Sequence, residues 1–355
     1  MILETLGYNS SLERFRTENN LGSFDVGRVI SEHKERYVIM TEKGECEAEI
    51  TGNIRFMANS REDFPAVGDW VAVTTYDSDF ALIHQIFPRF SIIKRMAAGQ
   101  TGELQVIAAN IDVAFIVQSV DRDFNVNRLE RYLAICNSAK VSPIIILTKI
   151  DLVTEYQVSG ILENIKGRIE DVTVLAMSNE SMVGINAIAT ILKKGATYCM
   201  LGSSGAGKST LINNLSGKAV MLTGTISQST NKGRHVTSHR ELVVLENGAI
   251  LIDNPGMREV GIGGSGSGLE ITFGTIGDYS GNCRFKDCTH TSEIGCSVLE
   301  AVENGTINKS SYENYMKMVK ERTHLESSLA ERHKKDKEFG KFLKDYKKQV
   351  KKNRD

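Results

Sequence analysis

The run Met200-Leu201-Gly202-Ser203-Ser204-Gly205-Ala206-Gly207-Lys208-Ser209-Thr210 constrains this chain more than any other segment. It contains a full G-x-x-x-x-G-K-[ST] pattern, preceded by the apolar run Tyr198-Cys-Met-Leu201 and followed by a helical pattern from Lys208 to Leu215. A buried strand that turns through glycines into a helix forms a phosphate-binding loop. The glycines let backbone N–H groups converge on phosphate oxygens, and the helix N-terminus adds positive potential. The loop residues Gly202, Ser203, Ser204, Gly205, Ala206, Gly207, Lys208, Ser209 and Thr210 are thus expected around a polyphosphate. Lys208 is placed to reach the β- and γ-phosphates, and the Ser209 hydroxyl to bind Mg²⁺.

Such a loop demands a parallel sheet, and the surrounding chain supplies one. Apolar runs at Val113–Val117, Ile144–Leu147, Val172–Leu175, Tyr198–Leu201, Leu242–Leu245 and Ile250–Ile252 are mostly separated by helical patterns such as Val126–Ser138. Buried strands alternating with helices predict a sheet covered on both faces.

The loop after the second run chooses the base. Leu147-Thr148-Lys149-Ile150-Asp151 resembles the [NT]-K-x-D box of GTP-binding proteins, with Thr148 in place of the common Asn. The Asp151 carboxylate can accept from both N1 and N2 of guanine, a donor pair that adenine lacks. The aliphatic stem of Lys149 can lie over the base. A second base loop is expected at Ser178-Asn179, after the strand Val172–Leu175, with Asn179 where Ala is common.

Two switch segments follow the P-loop. Asp253-Asn254-Pro255-Gly256 is a D-x-x-G box in which Asp253 is expected to hold Mg²⁺ and the Gly256 N–H to contact the γ-phosphate. Upstream lies Gly233-Arg234-His235-Val236-Thr237, where Thr237 is the candidate to close on Mg²⁺. Met257 stands where Ras-like proteins carry a water-orienting Gln in this part of the second switch. His235 is the nearest residue by motif that could orient or deprotonate a water. The candidate catalytic set is His235, Lys208 and Thr237. The base loops precede the P-loop and the switches come last, so the nucleotide-binding segments run in circularly permuted order.

Outside this domain the texture changes. Between about Phe24 and Pro88, short strand-like runs at Gly27–Ile30, Tyr37–Met40, Glu47–Ile50 and Asp69–Val73 alternate with turn glycines, which predicts a small antiparallel barrel. The stretch Arg89–Glu103 reads as a linker. Near the other end, Cys283, Cys288, His290 and Cys296 offer three thiolates and an imidazole within fourteen residues, the donor set of a closed structural zinc site. The last 24 residues, Arg332 to Asp355, carry eleven Lys or Arg against four Asp or Glu. With a net charge of −1 overall, a basic tail hangs on an acidic body, which points to a polyanionic partner. No apolar run is long enough for a membrane span, and the first twenty residues lack the pattern of a secretion signal, so a cytoplasmic protein is expected.

Taken together, these residues resemble the small ribosomal subunit biogenesis GTPases of bacteria, the RsgA family. The resemblance covers nearly the whole chain. It includes Gly27-Arg28-Val29, Val67-Gly68-Asp69-Trp70-Val71, Asn110-Ile111-Asp112, Gly233-Arg234-His235, Ile252 to Glu259 and the cysteine cluster. Asn254 and Val236 depart from the family pattern without removing an expected ligand. The resemblance implies a multidomain α/β protein: an N-terminal OB-fold β-barrel that binds rRNA, a circularly permuted P-loop GTPase domain and a C-terminal zinc-binding helical domain. The divisions expected are 1–23, an N-terminal extension; 24–96, the barrel; 97–265, the GTPase; and 266–355, the zinc-binding region with its tail. It further implies GTP hydrolysis stimulated by the small ribosomal subunit, a role late in that subunit's maturation, and His235 as the catalytic histidine. A monomer is expected. The competing readings are an RNA-binding assembly factor with vestigial turnover, a permuted GTPase of the large subunit and an ATP-dependent P-loop enzyme, the last disfavoured by Thr148–Asp151.

Overall fold

The computed structural model describes residues 3–33, 36–76, 79–96, 104–217, 240–253 and 266–327. Strands β1 (Asp25–His33), β2 (Arg36–Thr41), β3 (Gly44–Ile50), β4 (Trp70–Tyr76) and β5 (Phe80–Ile86) form a closed barrel in the order β1-β2-β3-β5-β4-β1. All its pairings are antiparallel except β3 with β5. The reason is legible in β3, where Cys46, Ala48 and Ile50 point inward while Glu45, Glu47 and Glu49 face out. The interior is filled by Val29, Tyr37, Ile39, Val71, Val73 and Ile83.

Helix α1 (Ser10–Glu18) precedes the barrel and is capped by the Asn9 side chain, which accepts from the Ser11 and Leu12 N–H groups. Leu3, Leu6, Leu12 and Leu21 of the extension pack with Trp70, Ala72 and Phe87. A short helix, α2 (Gly52–Met57), joins β3 towards β4.

The second half of the fold is a parallel sheet. It comprises β8 (Val113–Ser119), β9 (Ser142–Thr148), β10 (Thr173–Ala176), β11 (Thr197–Leu201) and β13 (Ile250–Asp253), with β12 (Arg240–Val244) antiparallel at one side. The order is β10-β9-β8-β11-β13-β12. Helices α3 (Val126–Ser138), α4 (Glu155–Lys166), α5 (Ile185–Ile191) and α6 (Lys208–Ser216) connect the strands or follow them. One face buries Leu129, Leu133 and Ile165 against the sheet, and the other buries Ile188, Leu211 and Ile212, so both faces are covered as the apolar runs require.

Barrel and parallel sheet are one continuous ladder. A register shift between Val29 and Ser31 lets β1 pair with β4 over residues 25–28 and then with β12 at Ser31 and Glu32. The region read as a linker is partly regular structure. β6 (Ile92–Met96) pairs with β7 (Leu104–Ala109), because Ile93 alternates into the core and Arg89 is held by buried Asp69 at 2.6 Å.

Arg28 locks the junction. Its side chain is 1% exposed and donates to Leu6 O of the extension, Gly68 O of the barrel, and Asn110 O and Thr197 Oγ1 of the parallel domain. Gly68 is obligatory there: it has φ +94°, and a Cβ would lie 2.2 Å from Ala109 O.

The C-terminal part is helical. It contains α7 (Gly266–Thr272), α8 (Gly274–Ser280), α9 (Ser297–Glu303) and a final helix, α10, over 309–327. Leu269, Phe273, Ile276, Val298, Ile307 and Met318 form its core and reach Ala134 of α3.

Candidate nucleotide site and metal cluster

The P-loop sits at the C-terminal end of β11, where an open parallel sheet places its ligands. Gly202, Gly205 and Gly207 have φ +150°, +82° and +90°. A Cβ on Gly202 would stand 2.1 Å from Val117 O, so the loop can pass β8 only as glycine. Lys208 opens α6 and is 6% exposed, with Nζ donating to Gly202 O at 3.0 Å and Ser203 O at 2.8 Å. Burial pushes its ammonium down, opposed by the carboxylate of Asp253. A buried cation whose hydrogen bonds among the described residues go to two neutral carbonyls favours an anion beside it. Ser209 Oγ donates to Asp253 Oδ2 at 3.0 Å, and Asp253, the last residue of β13, is 1% exposed. A hydroxyl and a carboxylate brought together next to the P-loop are the hard oxygen donors that Mg²⁺ takes, so the residues fit that ion.

The base box is attached directly to this loop. Thr148 is fully buried and its Oγ1 donates to Ala206 O at 2.6 Å. Lys149 follows with φ +62°, which turns the chain into the short 3-10 segment Ile150–Leu152 and leaves Asp151 exposed. The second base loop is attached too. Asn179 Nδ2 donates to Gly207 O at 3.1 Å, while Asn214 Nδ2 donates to Asn179 Oδ1 at 3.1 Å. Ser178 is buried, and its Oγ accepts from the N–H groups of Glu180 and Ser181. The side chains of Thr148 and Asn179 therefore bind P-loop carbonyls, a tethering role that their motif positions alone do not state.

Asp121, Asp123 and Arg128 also border the site and belong to no motif read from the sequence. Asp121 Oδ2 accepts from Lys149 Nζ at 2.8 Å. Asp123 is bidentate with Arg128 and accepts from Ser203 Oγ at 2.7 Å. Two carboxylates two residues apart, directly after a buried strand, were the available signal. His235, Thr237 and Gly256 lie outside the described residues, as do Asn254 and Met257.

Some distance along the chain, Cys283, Cys288, His290 and Cys296 bring their ligand atoms within 4.8 Å of one another. Cys283 Sγ lies 3.6 Å from His290 Nδ1 and 3.9 Å from Cys296 Sγ, and His290 Nδ1 lies 3.4 Å from Cys296 Sγ. A Zn–S bond of about 2.3 Å implies a tetrahedral edge of about 3.8 Å, so the cluster has the size of a four-ligand zinc site. Tyr312 Oη of α10 donates to His290 O at 2.5 Å and fixes the knuckle to that helix.

A barrel joined to a P-loop sheet whose base loops come first in the chain defines a circularly permuted GTPase. The comparisons agree. The RsgA GTPase family model matches residues 86–263. An ABC transporter model matches 185–354; it takes in the same P-loop, which ATP- and GTP-binding proteins share, and leaves out the base box. The small ribosomal subunit biogenesis GTPase RsgA 1 of Bacteroides thetaiotaomicron is 38% identical over 98% of this chain and 97% of its own. The corresponding protein of Listeria innocua is 42% identical over 90% and 89%. Among solved structures, YjeQ from Thermotoga maritima superposes with a TM-score of 0.60 at 25% identity, covering 83% of this chain and 96% of its own. YloQ, described as a circularly permuted GTPase, shares the fold with a TM-score of 0.58 at 22% identity, over 85% and 96%. The chain belongs to the RsgA family of GTPases.

Proposed function

We propose that this protein binds the small ribosomal subunit and hydrolyses GTP there, timing a late step of the subunit's maturation and its own release. The observation that carries the nucleotide part is the closure of both base loops onto the P-loop through Thr148 and Asn179. It supports a reading in which guanine recognition and phosphate binding share one place despite the permuted chain. The subunit part is supported by relatives that carry small-subunit biogenesis in their names and match nearly the whole chain.

In this reading the P-loop N–H groups and Lys208 hold the phosphates, and Asp151 and Lys149 hold guanine. Gly202 to Thr210 cradle the β-phosphate, and Ser178 and Asn179 complete the base side. Ser209, Asp253 and Thr237 would hold Mg²⁺, which would supply charge neutralisation at the phosphate oxygens. Gly256 contacts the γ-phosphate, and His235 orients the attacking water. The Cys283, Cys288, His290 and Cys296 cluster holds one structural zinc. The barrel and the basic tail contact rRNA. The protein acts as a cytoplasmic monomer; no described helix is long and apolar enough to cross a membrane.

The test is GTP turnover by the full chain titrated with isolated ribosomal subunits. Slow intrinsic turnover, raised at least tenfold by small subunits and not by large ones, is expected. In the same assay His235→Ala should lower kcat with KM nearly unchanged. Stimulation by large subunits alone would transfer the function to the other particle, and absence of turnover under all conditions would leave a binding factor instead.

A further inference from the structure

The loop between β8 and α3 carries a charge arrangement that the nucleotide site does not explain by itself. Asp121 and Asp123 place two carboxylates against the two loops that would receive a polyanion. Asp121 Oδ1 accepts from Ser119 Oγ at 2.9 Å and from the Asp123 N–H at 3.1 Å, and its Oδ2 binds Lys149. Asp123 Oδ2 accepts from Ser203 Oγ at 2.7 Å and from Arg128 Nη1 at 2.6 Å; its Oδ1 accepts from Arg128 Nη2 at 3.1 Å. Arg128 Nη1 also lies 3.3 Å from Ser203 Oγ. Ser203 is 3% exposed and lies inside the P-loop.

Carboxylates beside a polyphosphate repel it unless each is neutralised. Here every one has a cation: Lys149 for Asp121 and Arg128 for Asp123. Both carboxyl groups are held below the usual range: burial pushes each up, but hydrogen bonds from the cations and nearby donors outweigh it. They remain ionised and dependent on those cations at neutral pH.

We propose that this loop is the positioning element of the nucleotide site, with Asp121 orienting Lys149, Asp123 fixing Ser203, and Arg128 neutralising Asp123 so that phosphates can bind alongside. The proposal rests on the GTPase reading. Arg128 is a positioning residue in it, acting through Asp123 rather than on the nucleotide. That distinction is measurable, because an arginine that binds phosphate and an arginine that masks a carboxylate respond oppositely to removal of the carboxylate.

The experiment is calorimetric titration of the full-length chain with GDP, for wild type, Arg128→Gln, Asp123→Asn and the double variant Asp123→Asn/Arg128→Gln. Thermal melts accompany each titration. Arg128→Gln is expected to weaken GDP binding about tenfold or more, because it exposes an unmasked carboxylate at Ser203. The double variant is expected to recover to within about threefold of Asp123→Asn. A double variant as weak as Arg128→Gln would overturn the proposal and make Arg128 a direct phosphate ligand. Unchanged affinity in Arg128→Gln would overturn it as well. If Arg128→Gln fails to fold, Arg128→Met replaces it in both the single and the double variant, with the same expected recovery and the same overturning result. Failure of wild type itself to bind GDP would instead sink the GTPase reading.

Discussion

Replacing Arg28 by Ala tests the junction that holds the three parts of the fold together. The guanidinium makes four hydrogen bonds, to Leu6 O, Gly68 O, Asn110 O and Thr197 Oγ1, and lies 5.4 Å from the Trp70 ring centroid. Burial opposes them and pushes the group down to about 10, partly offset by the carboxylates of Asp112 and Asp69. Hydrogen bonds from a cation contribute about 1.5–3 kcal/mol each net of exchange with water, so four of them are expected to outweigh the cost of burying the charge. Truncation also leaves a cavity and strips a donor from Leu6 O and Asn110 O. Gly68 O keeps its bond from Asn110 Nδ2 at 3.1 Å. The net loss is about 3–5 kcal/mol. Trp70 is the single tryptophan of the chain and is 2% exposed, so its fluorescence reports unfolding at this spot. With a urea dependence of about 3 kcal/mol per molar, the midpoint should fall by about 1 M or more. A shift under about 0.3 M would refute the argument that Arg28 bonds outweigh its desolvation.

Two further outcomes concern the site and the cluster. Asp151→Asn should weaken GTP binding about a hundredfold and favour xanthine nucleotide, read by competition titration; an unaltered base preference would remove Asp151 from the pocket. Purified protein should carry one zinc per chain by metal analysis. Chelation should open the 283–296 segment to protease while leaving GDP affinity within about twofold, since the cluster belongs to a separate core. Three freely titrating thiols in metal-free protein as isolated would dispose of the zinc site.

The nucleotide loops were legible because their chemistry is local. A P-loop needs its glycines and lysine at fixed spacing, and the base box needs its aspartate right after a buried strand. Apolar runs placed β8, β9, β10, β11 and β13 for the same reason: strands buried on both faces cannot tolerate polar residues. The Cys283, Cys288, His290 and Cys296 cluster was legible because four side chains close in sequence stay close in space. By contrast β5 carries no local mark, since Phe80–Ile86 lacks turn glycines, and β6 reads as linker because its lysine and arginine mask a strand that is buried through Ile93.

The sequence by itself determined which phosphate-loop, base-box and Cys/His motifs this protein carries and in what order along the chain they occur, because those properties reside in side-chain chemistry and short spacing. Only the tertiary structure decided that Thr148 and Asn179 fasten the P-loop, that Asp123 and Arg128 border it, and that Arg28 ties barrel to sheet. Each of those bonds joins residues from 28 to 169 positions apart, and no local pattern encodes which distant carbonyl a buried donor will meet.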